Sequence, residues 1–155
     1  MAKHFSFTAI NVRPLSQNNR PSAKLDELRD DLKHAYNVKY SPGSLPCTPL
    51  LKEPLEAKVF YIHKIEDKMD ADNISKPLWD ALNKITYQDD FAIKYLETLK
   101  IDFGKTSDRL SLDVTNLDSQ DFENLFDFIF DTRGIEDRFL YVAVSDYESK
   151  NVRFV

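Results

Sequence analysis

A run that is apolar on both faces constrains the fold more than any other feature of this chain. Within residues 55–64, the consecutive residues Val59, Phe60, Tyr61 and Ile62 are all apolar, so neither side of an extended chain can face water there. Such a run is typical of a central strand. The chain is therefore expected to build a sheet with this strand in its interior.

Other periodic patterns predict the rest of the fold. Alternating apolar residues predict strands over residues 3–12 and 139–144, and apolar residues at helical spacing predict helices over residues 22–37 and from Asp118 or Ser119 onward. Odd-numbered apolar positions over residues 91–103, a turn over 104–109 and renewed alternation up to Val114 predict a β-hairpin. We therefore expect a single-domain α+β protein with a mixed β-sheet flanked by helices.

Length and charge set broader limits. The 155 residues suffice for one domain with a buried core and are too few for two comfortable ones. The net charge of −5 argues against a generic nucleic-acid coat. Residues 1–68 carry 11 basic against 8 acidic side chains, whereas residues 106–155 carry 5 against 11. A DNA-facing surface is therefore expected in the N-terminal part of the chain.

The single cysteine and the N-terminal sequence bear on location. One cysteine cannot form an internal disulfide, and the N-terminus has neither a basic and then apolar leader nor a long apolar run. These features lead us to expect a soluble cytoplasmic protein with no membrane partner.

Three carboxylate positions and a lysine surround one predicted helix. Asp70 and Asp72 lie two residues apart where the central strand is ending, so in an extended chain their side chains project to the same side. Lys76 follows Asp72 by four residues and is expected over the helix start. The pair Asp89-Asp90 comes after the helix, in the turn before the next strand.

The helix between these acidic positions is predicted from its proline and its apolar stripe. Proline is tolerated only near a helix N-terminus, so Pro77 indicates that the helix begins at Asn73 or Ser75. The apolar residues that follow recur at the spacing of a buried helix face. Asp70, Asp72 and Lys76 are thus expected at the start of this helix, and Asp89-Asp90 after its end.

This combination of side chains suits phosphodiester chemistry. Hard oxygen ligands hold Mg²⁺ or Mn²⁺, which activates a water and neutralises the charge that develops on phosphorus. Lys76 would then stabilise the transition-state charge or orient the attacking water. Two structural alternatives remain open on spacing alone: Asp70 to Asn73 is also a good helix-capping arrangement, and Asp89-Asp90 is also a plausible turn.

The order of the whole motif resembles a known signature. The run DADNISKPLWDALN over residues 70–83, followed closely by Asp89-Asp90 and a strand, resembles the RusA family of Holliday junction resolvases, with the likeness covering roughly residues 3–115. Members of that family are small, homodimeric, Mg²⁺-dependent endonucleases, often carried by prophages, which nick four-way DNA junctions symmetrically in recombination and repair.

The resemblance assigns roles to particular residues. Asp70, Asp72 and Asp90 would be the catalytic, metal-binding carboxylates for Mg²⁺, with Mn²⁺ as a substitute, and Lys76 would be the catalytic lysine. Asn73 would hold the geometry of the site. A single RusA-like nuclease domain would span residues 1–155, with residues 115–155 as an acidic C-terminal extension packed on it.

Several other side chains are candidates for contact with DNA. Arg13, Arg20, Lys64 and Lys68 could each bind phosphate, and each could equally be plain surface charge. Met69 stands where a family member has aromatic side chains that wedge into the junction, and an apolar Met69 could still enter between bases.

Two alternative functions remain open. One is a non-catalytic branched-DNA-binding phage accessory protein that keeps the scaffold without the chemistry. The other is a nuclease of other branched DNA, such as forks or flaps, which the departure at Lys68 and Met69 favours.

Overall fold

Four strands form one mixed sheet in a computed structural model, which describes residues 4–18, 21–40, 54–87, 90–106 and 109–147. The strands are β1 (His4–Ile10), β2 (Leu55–His63), β3 (Ile93–Asp102) and β4 (Arg138–Asp146), and their order across the sheet is β1-β4-β2-β3. β4 is antiparallel to both β1 and β2, whereas β2 and β3 are parallel. The prediction that residues 55–64 form a central strand is confirmed.

Helices cover both faces of this sheet. They are α1 (Ser22–Lys39), α2 (Ala71–Leu82), the single turn α3 (Phe103–Thr106) and α4 (Ser119–Phe130). α1 and α2 bury the larger core on one face, which includes Phe7, Leu32 and Leu78. On the other face, Phe128 of α4 packs with Phe139 of β4. The predicted α+β fold is therefore confirmed. No helix within the described ranges is long and apolar enough to cross a membrane.

The segment predicted as a C-terminal extension contributes an interior strand. β4 lies between β1 and β2, with Val142 opposite both Phe7 and Val59. β1 and β2 each pair with β4 and are not neighbours of each other. β4 thus joins β1 to the parallel pair β2 and β3.

The predicted hairpin over residues 91–114 is wrong. β3 forms as predicted, but it pairs in parallel with β2, and Gly104 lies inside α3 instead of in a tight turn. Residues 110–114 form no strand, and Leu112 is exposed. β3 therefore remains the edge strand of the described sheet, and α2 makes the crossover that a parallel β2–β3 pair requires.

Helix α2 begins earlier than predicted. It starts at Ala71, so the predicted start at Asn73 or Ser75 is wrong and Pro77 lies in the helix interior. Pro77 has no N–H to donate to the carbonyl of Asn73, four residues before it. That carbonyl instead accepts a hydrogen bond from the backbone N–H of Gln17 at 2.7 Å. The connection after β1 thus supplies the bond that the proline removes.

Candidate active site

Two of the predicted site carboxylates lie at the start of α2. β2 already ends at His63, so the expected extended geometry is wrong: Asp70 is the N-cap residue and Asp72 lies in the first helical turn. Both residues are exposed, and the Asp70 side chain makes no cap hydrogen bond to the helix. Asp70 thus occupies the capping position of the alternative interpretation but does not make the side-chain hydrogen bond of a cap. Both negative charges lie at the positive end of the helix dipole, which stabilises them.

The loop that leads into α2 is anchored by a buried carboxylate. The Asp67 side chain is 1% exposed and accepts hydrogen bonds from the Tyr61 hydroxyl at 2.8 Å, the Met69 N–H at 3.1 Å and the Arg13 Nε–H at 3.4 Å. The Lys100 ammonium on β3 donates to the Asp67 backbone carbonyl. Contacts from β2, β3 and the connection after β1 therefore fix where α2 begins.

Asp67 remains ionised because of these donors. Burial by itself raises the pKa of Asp67, but the Met69 N–H, the Tyr61 hydroxyl and the Arg13 charge together bring the pKa below its ordinary value. Burial likewise raises the pKa of Tyr61, so its hydroxyl stays protonated and donates. Asp67 is a positioning residue that the sequence patterns did not reveal. The available signal was weak: aspartate favours turns because its side chain bonds the N–H two residues later.

Lys76 lies on the same side of α2 as Asp72, one turn further along. Its Nζ is 2.6 Å from Asp80 Oδ1, and its side chain is 53% exposed. An exposed pair with this spacing contributes only about 0.3–0.5 kcal/mol to stability. Asp80 thus holds Lys76 close to the helix surface.

An open groove of about 620 Å³ separates α2 from β3. Asp72 and Lys76 line its helix side, and Lys94 and Thr98 line its strand side. Its volume is within the range of about 300–1,000 Å³ that is usual for small-ligand sites. Two of the predicted catalytic residues therefore share one cleft.

Asp90 belongs to the short 3-10 turn Asp90–Ala92 that leads into β3. Its side chain and all of Asp89 lie outside the described residues, so the choice of Asp90 as the distal ligand stays a prediction. Among the residues that the structure does describe, no three His, Cys, Asp or Glu side chains form a group able to hold a metal ion. Asp70 and Asp72 are the two described members of the predicted trio.

Some of the candidate DNA contacts lie beside the start of α2. Arg13 reaches Asp67 with its Nε, yet its side chain is 59% exposed. Lys68 is almost fully exposed, 4.0 Å from Glu66. Met69 is half-buried and packs against the main core. Asn73 is also half-buried and joins α2 to the connection after β1 through its carbonyl.

The other two candidate cations are placed differently. The Lys64 side chain is only 17% exposed, and its Nζ is 2.6 Å from Asp131, just beyond the end of α4. It also donates to the Phe128 carbonyl and lies over the Phe128 ring. Lys64 therefore contacts the C-terminal end of α4, on the sheet face opposite α2. Arg20 lies outside the described residues.

His63 is a packed residue at the end of β2. It is 2% exposed, its Nδ1–H donates to the Ile65 carbonyl at 2.7 Å, and its ring stacks on that of Tyr61. These contacts are those of a buried strand histidine.

Comparison with known proteins identifies one family. A protein-family model described as Endodeoxyribonuclease RusA matches residues 19–115, which is more than half of the chain. The match spans α1, β2, α2 and β3, and therefore covers the candidate residues on α2. No curated protein matches the chain.

Proposed function

Because this chain belongs to the RusA endodeoxyribonuclease family and is therefore a DNA endonuclease, we propose that it resolves Holliday junctions by Mg²⁺-dependent, symmetric phosphodiester hydrolysis in recombination and repair. One observation carries the proposal. Asp70 and Asp72 are exposed at the start of α2, and Lys76 follows one turn later beside an open groove. Two carboxylates and a cation on one exposed surface support a site for a metal ion and a DNA strand.

The exposed carboxylates suit a hard divalent cation. The Asp70 carboxylate makes no capping hydrogen bond to the helix, and carboxylate oxygens are the ligands that Mg²⁺ prefers. Asp70, Asp72 and, from the family pattern, Asp90 would hold Mg²⁺, and Mn²⁺ would substitute. When bound, the ion supplies neutralisation of phosphate charge and a water of lowered pKa.

Lys76 would bind the scissile phosphate. Its ammonium is exposed, remains on the Asp72 side of α2, and forms a weak surface pair with Asp80. A cation in this position attracts a phosphate oxygen and stabilises the extra negative charge of the transition state. Asp80 then acts through Lys76, by orienting it.

A substrate panel tests the proposal. Labelled four-way junction, fork, flap and linear duplex are incubated with the protein in Mg²⁺ and, separately, in EDTA. We expect paired nicks at symmetric positions of the junction, and none in EDTA. Asp70→Asn, Asp72→Asn, Asp90→Asn and Lys76→Ala should abolish cleavage with unchanged circular dichroism. Asp30→Asn, which neutralises an exposed aspartate on α1, should cleave like the wild type.

The same panel separates the alternatives. Junction binding without nicks in any metal would contradict catalysis and favour a branched-DNA-binding accessory protein. Equal cleavage of the junction by Asp90→Asn and by the wild type would contradict the role of Asp90 as a metal ligand and would leave the other assignments standing.

One observation favours a second function, cleavage of forks and flaps. Met69, directly before Asp70, is half-buried against the core and would have to leave its packing to enter a base step. Without an exposed apolar side chain to insert between bases, selectivity for a four-way junction over other branched DNA is expected to be lower. Faster cutting of forks or flaps than of the junction would support this function instead.

A homodimer would fit a junction of near two-fold symmetry, because two sites could address two symmetric strands. α4 offers an apolar face for such a contact. Phe122, Phe126 and Phe130 lie on successive turns, each at least 44% exposed, with ring centroids 6.4 Å and 4.6 Å apart. Exposed apolar patches of this kind mark interaction sites. Light scattering after size exclusion tests the dimer, and a monomer at micromolar concentration would contradict it.

A further inference from the structure

Three side chains that line the groove between α2 and β3 each carry a polar atom without a partner. These atoms are Ser75 Oγ, Trp79 Nε1 and Thr98 Oγ1, each shielded from solvent and without a hydrogen-bond partner among the described residues. Ser75 is 9% and Trp79 is 4% exposed. A polar group that is buried without a partner destabilises the fold, so three in one groove call for a bound group that completes them.

The chemistry of these groups restricts what can bind. An indole N–H can only donate, and a hydroxyl can donate as well as accept. The bound group must therefore offer hydrogen-bond acceptors. Ile93 and Leu96 add apolar surface to the same groove, which suits the face of a flat ring.

Two lysines add positive charge to the groove. Lys76 lines it from α2 and Lys94 lines it from β3. The Lys94 ammonium is fixed by the Phe91 carbonyl at 2.7 Å and by the Phe91 ring, whose centroid is 3.8 Å away. A flat, acceptor-bearing ring with an anion attached is the description of a nucleotide.

We propose that this groove is a subsite for one unpaired nucleotide of the DNA substrate. The base acceptors meet Ser75, Trp79 and Thr98, while the backbone phosphate meets Lys76 and Lys94. The inference rests on the proposed nuclease function and extends it. Because Asp72 and Lys76 line the same groove, this nucleotide lies next to the scissile phosphate and influences where the strand is cut. Branch points supply such nucleotides because unpaired bases leave the stack at low cost.

Intrinsic fluorescence can report binding directly, since Trp79 is the only tryptophan in the chain. In EDTA, to prevent cleavage, the protein is titrated with a single-stranded oligonucleotide and with an abasic oligonucleotide of equal length and charge. We expect a saturable change in Trp79 emission with the normal oligonucleotide and binding about tenfold weaker with the abasic one.

Matched variants assign this preference to the groove. Thr98→Val and Ser75→Ala remove the unpartnered hydroxyls, and each should reduce the preference for the normal over the abasic oligonucleotide at least threefold. Thr86→Val is the control: it removes a hydroxyl that is equally buried and unpartnered, but that lies outside the groove. Thr86→Val should keep the wild-type preference. Neither valine variant should lose stability, because no hydrogen bond is removed.

Cleavage provides the second measurement. On junctions with a randomised branch point, Thr98→Val should change the distribution of cut sites, and Thr86→Val should not. Equal binding and equal emission change with the abasic oligonucleotide would overturn the subsite. An unchanged cut-site distribution in Thr98→Val, with junctions still cleaved, would overturn it as well and leave the nuclease function standing. A preference for the normal oligonucleotide without cleavage of any branched DNA would contradict the nuclease and leave the subsite standing.

Discussion

Removal of the buried Asp67 carboxylate should weaken both the fold and the active site. Asp67→Ala leaves two groups without an acceptor, the hydroxyl of the fully buried Tyr61 and the N–H of Met69. Each such group costs about 1–3 kcal/mol, and the partly exposed Arg13 pair adds less than about 1 kcal/mol. We therefore expect the free energy of unfolding to fall by about 3 kcal/mol.

Urea unfolding followed by Trp79 fluorescence measures this loss. Tyr61→Phe is the matched variant: it removes one donor, leaves the other Asp67 contacts intact, and should cost about 1 kcal/mol. Because the two side chains share a hydrogen bond, the double variant should show a coupling energy of about 0.5–3 kcal/mol. A loss below about 0.5 kcal/mol for Asp67→Ala, or a coupling energy of zero, would refute the reasoning.

The same carboxylate gives the fold a defined pH dependence. The pKa of Asp67 is lower in the folded chain than its ordinary value, so its contribution to stability is complete above the unfolded pKa of about 4. That contribution is lost as the pH falls through the lower pKa of the folded state. Asp67→Asn should therefore lose less stability than the wild type below about pH 4, as measured by urea midpoints across pH. Parallel curves would show that Asp67 is not the group responsible.

Three further predictions concern other parts of the molecule. Lys39→Met should cost about 3–5 kcal/mol in urea unfolding, because it leaves the 1%-exposed Asp121 carboxylate without its ammonium partner at 2.7 Å; a loss below about 1 kcal/mol would contradict this. Asp80→Asn should lower the cleavage rate less than tenfold, whereas Lys76→Ala should abolish it; equal losses would give Asp80 a direct role. Phe126→Glu should turn a dimer into a monomer in light scattering at unchanged circular dichroism, and a persistent dimer would exclude the α4 face.

The elements that could be predicted from sequence are those with a clear burial pattern. β1, α1, α4 and β4 each formed within a few residues of their expected bounds, because burial of one face imposes a period of two or of 3.6 on the sequence. β2 was predicted from a run that is apolar on both faces, and it formed over residues 55–63. The hairpin failed for a related reason. Alternation indicates that residues 93–102 are extended but does not identify the neighbour, and the neighbour is the parallel strand β2.

The candidate residues of the site could be chosen from the sequence, but their geometry could not. The motif indicated Asp70, Asp72 and Lys76, yet the rule that places proline near a helix N-terminus misplaced the start of α2. That rule failed because the N–H of Gln17, which is remote in sequence, donates to the Asn73 carbonyl, to which Pro77 cannot donate. Asp67 escaped notice for the same reason, since its partners come from Tyr61 and Arg13, which only the folded chain brings together.

The position of β4 also has a consequence for how the chain folds during synthesis. β1 leaves the ribosome before the other described strands and its partner β4 leaves after them, with His4 opposite Ser145. Until β4 emerges, the apolar side chains of Phe5 and Phe7 lack the sheet that buries them. Pairing between such distant residues is slow, and unpaired apolar strands aggregate. A premature stop before residue 138 should therefore yield an insoluble product, even though the matched family region is complete by residue 115.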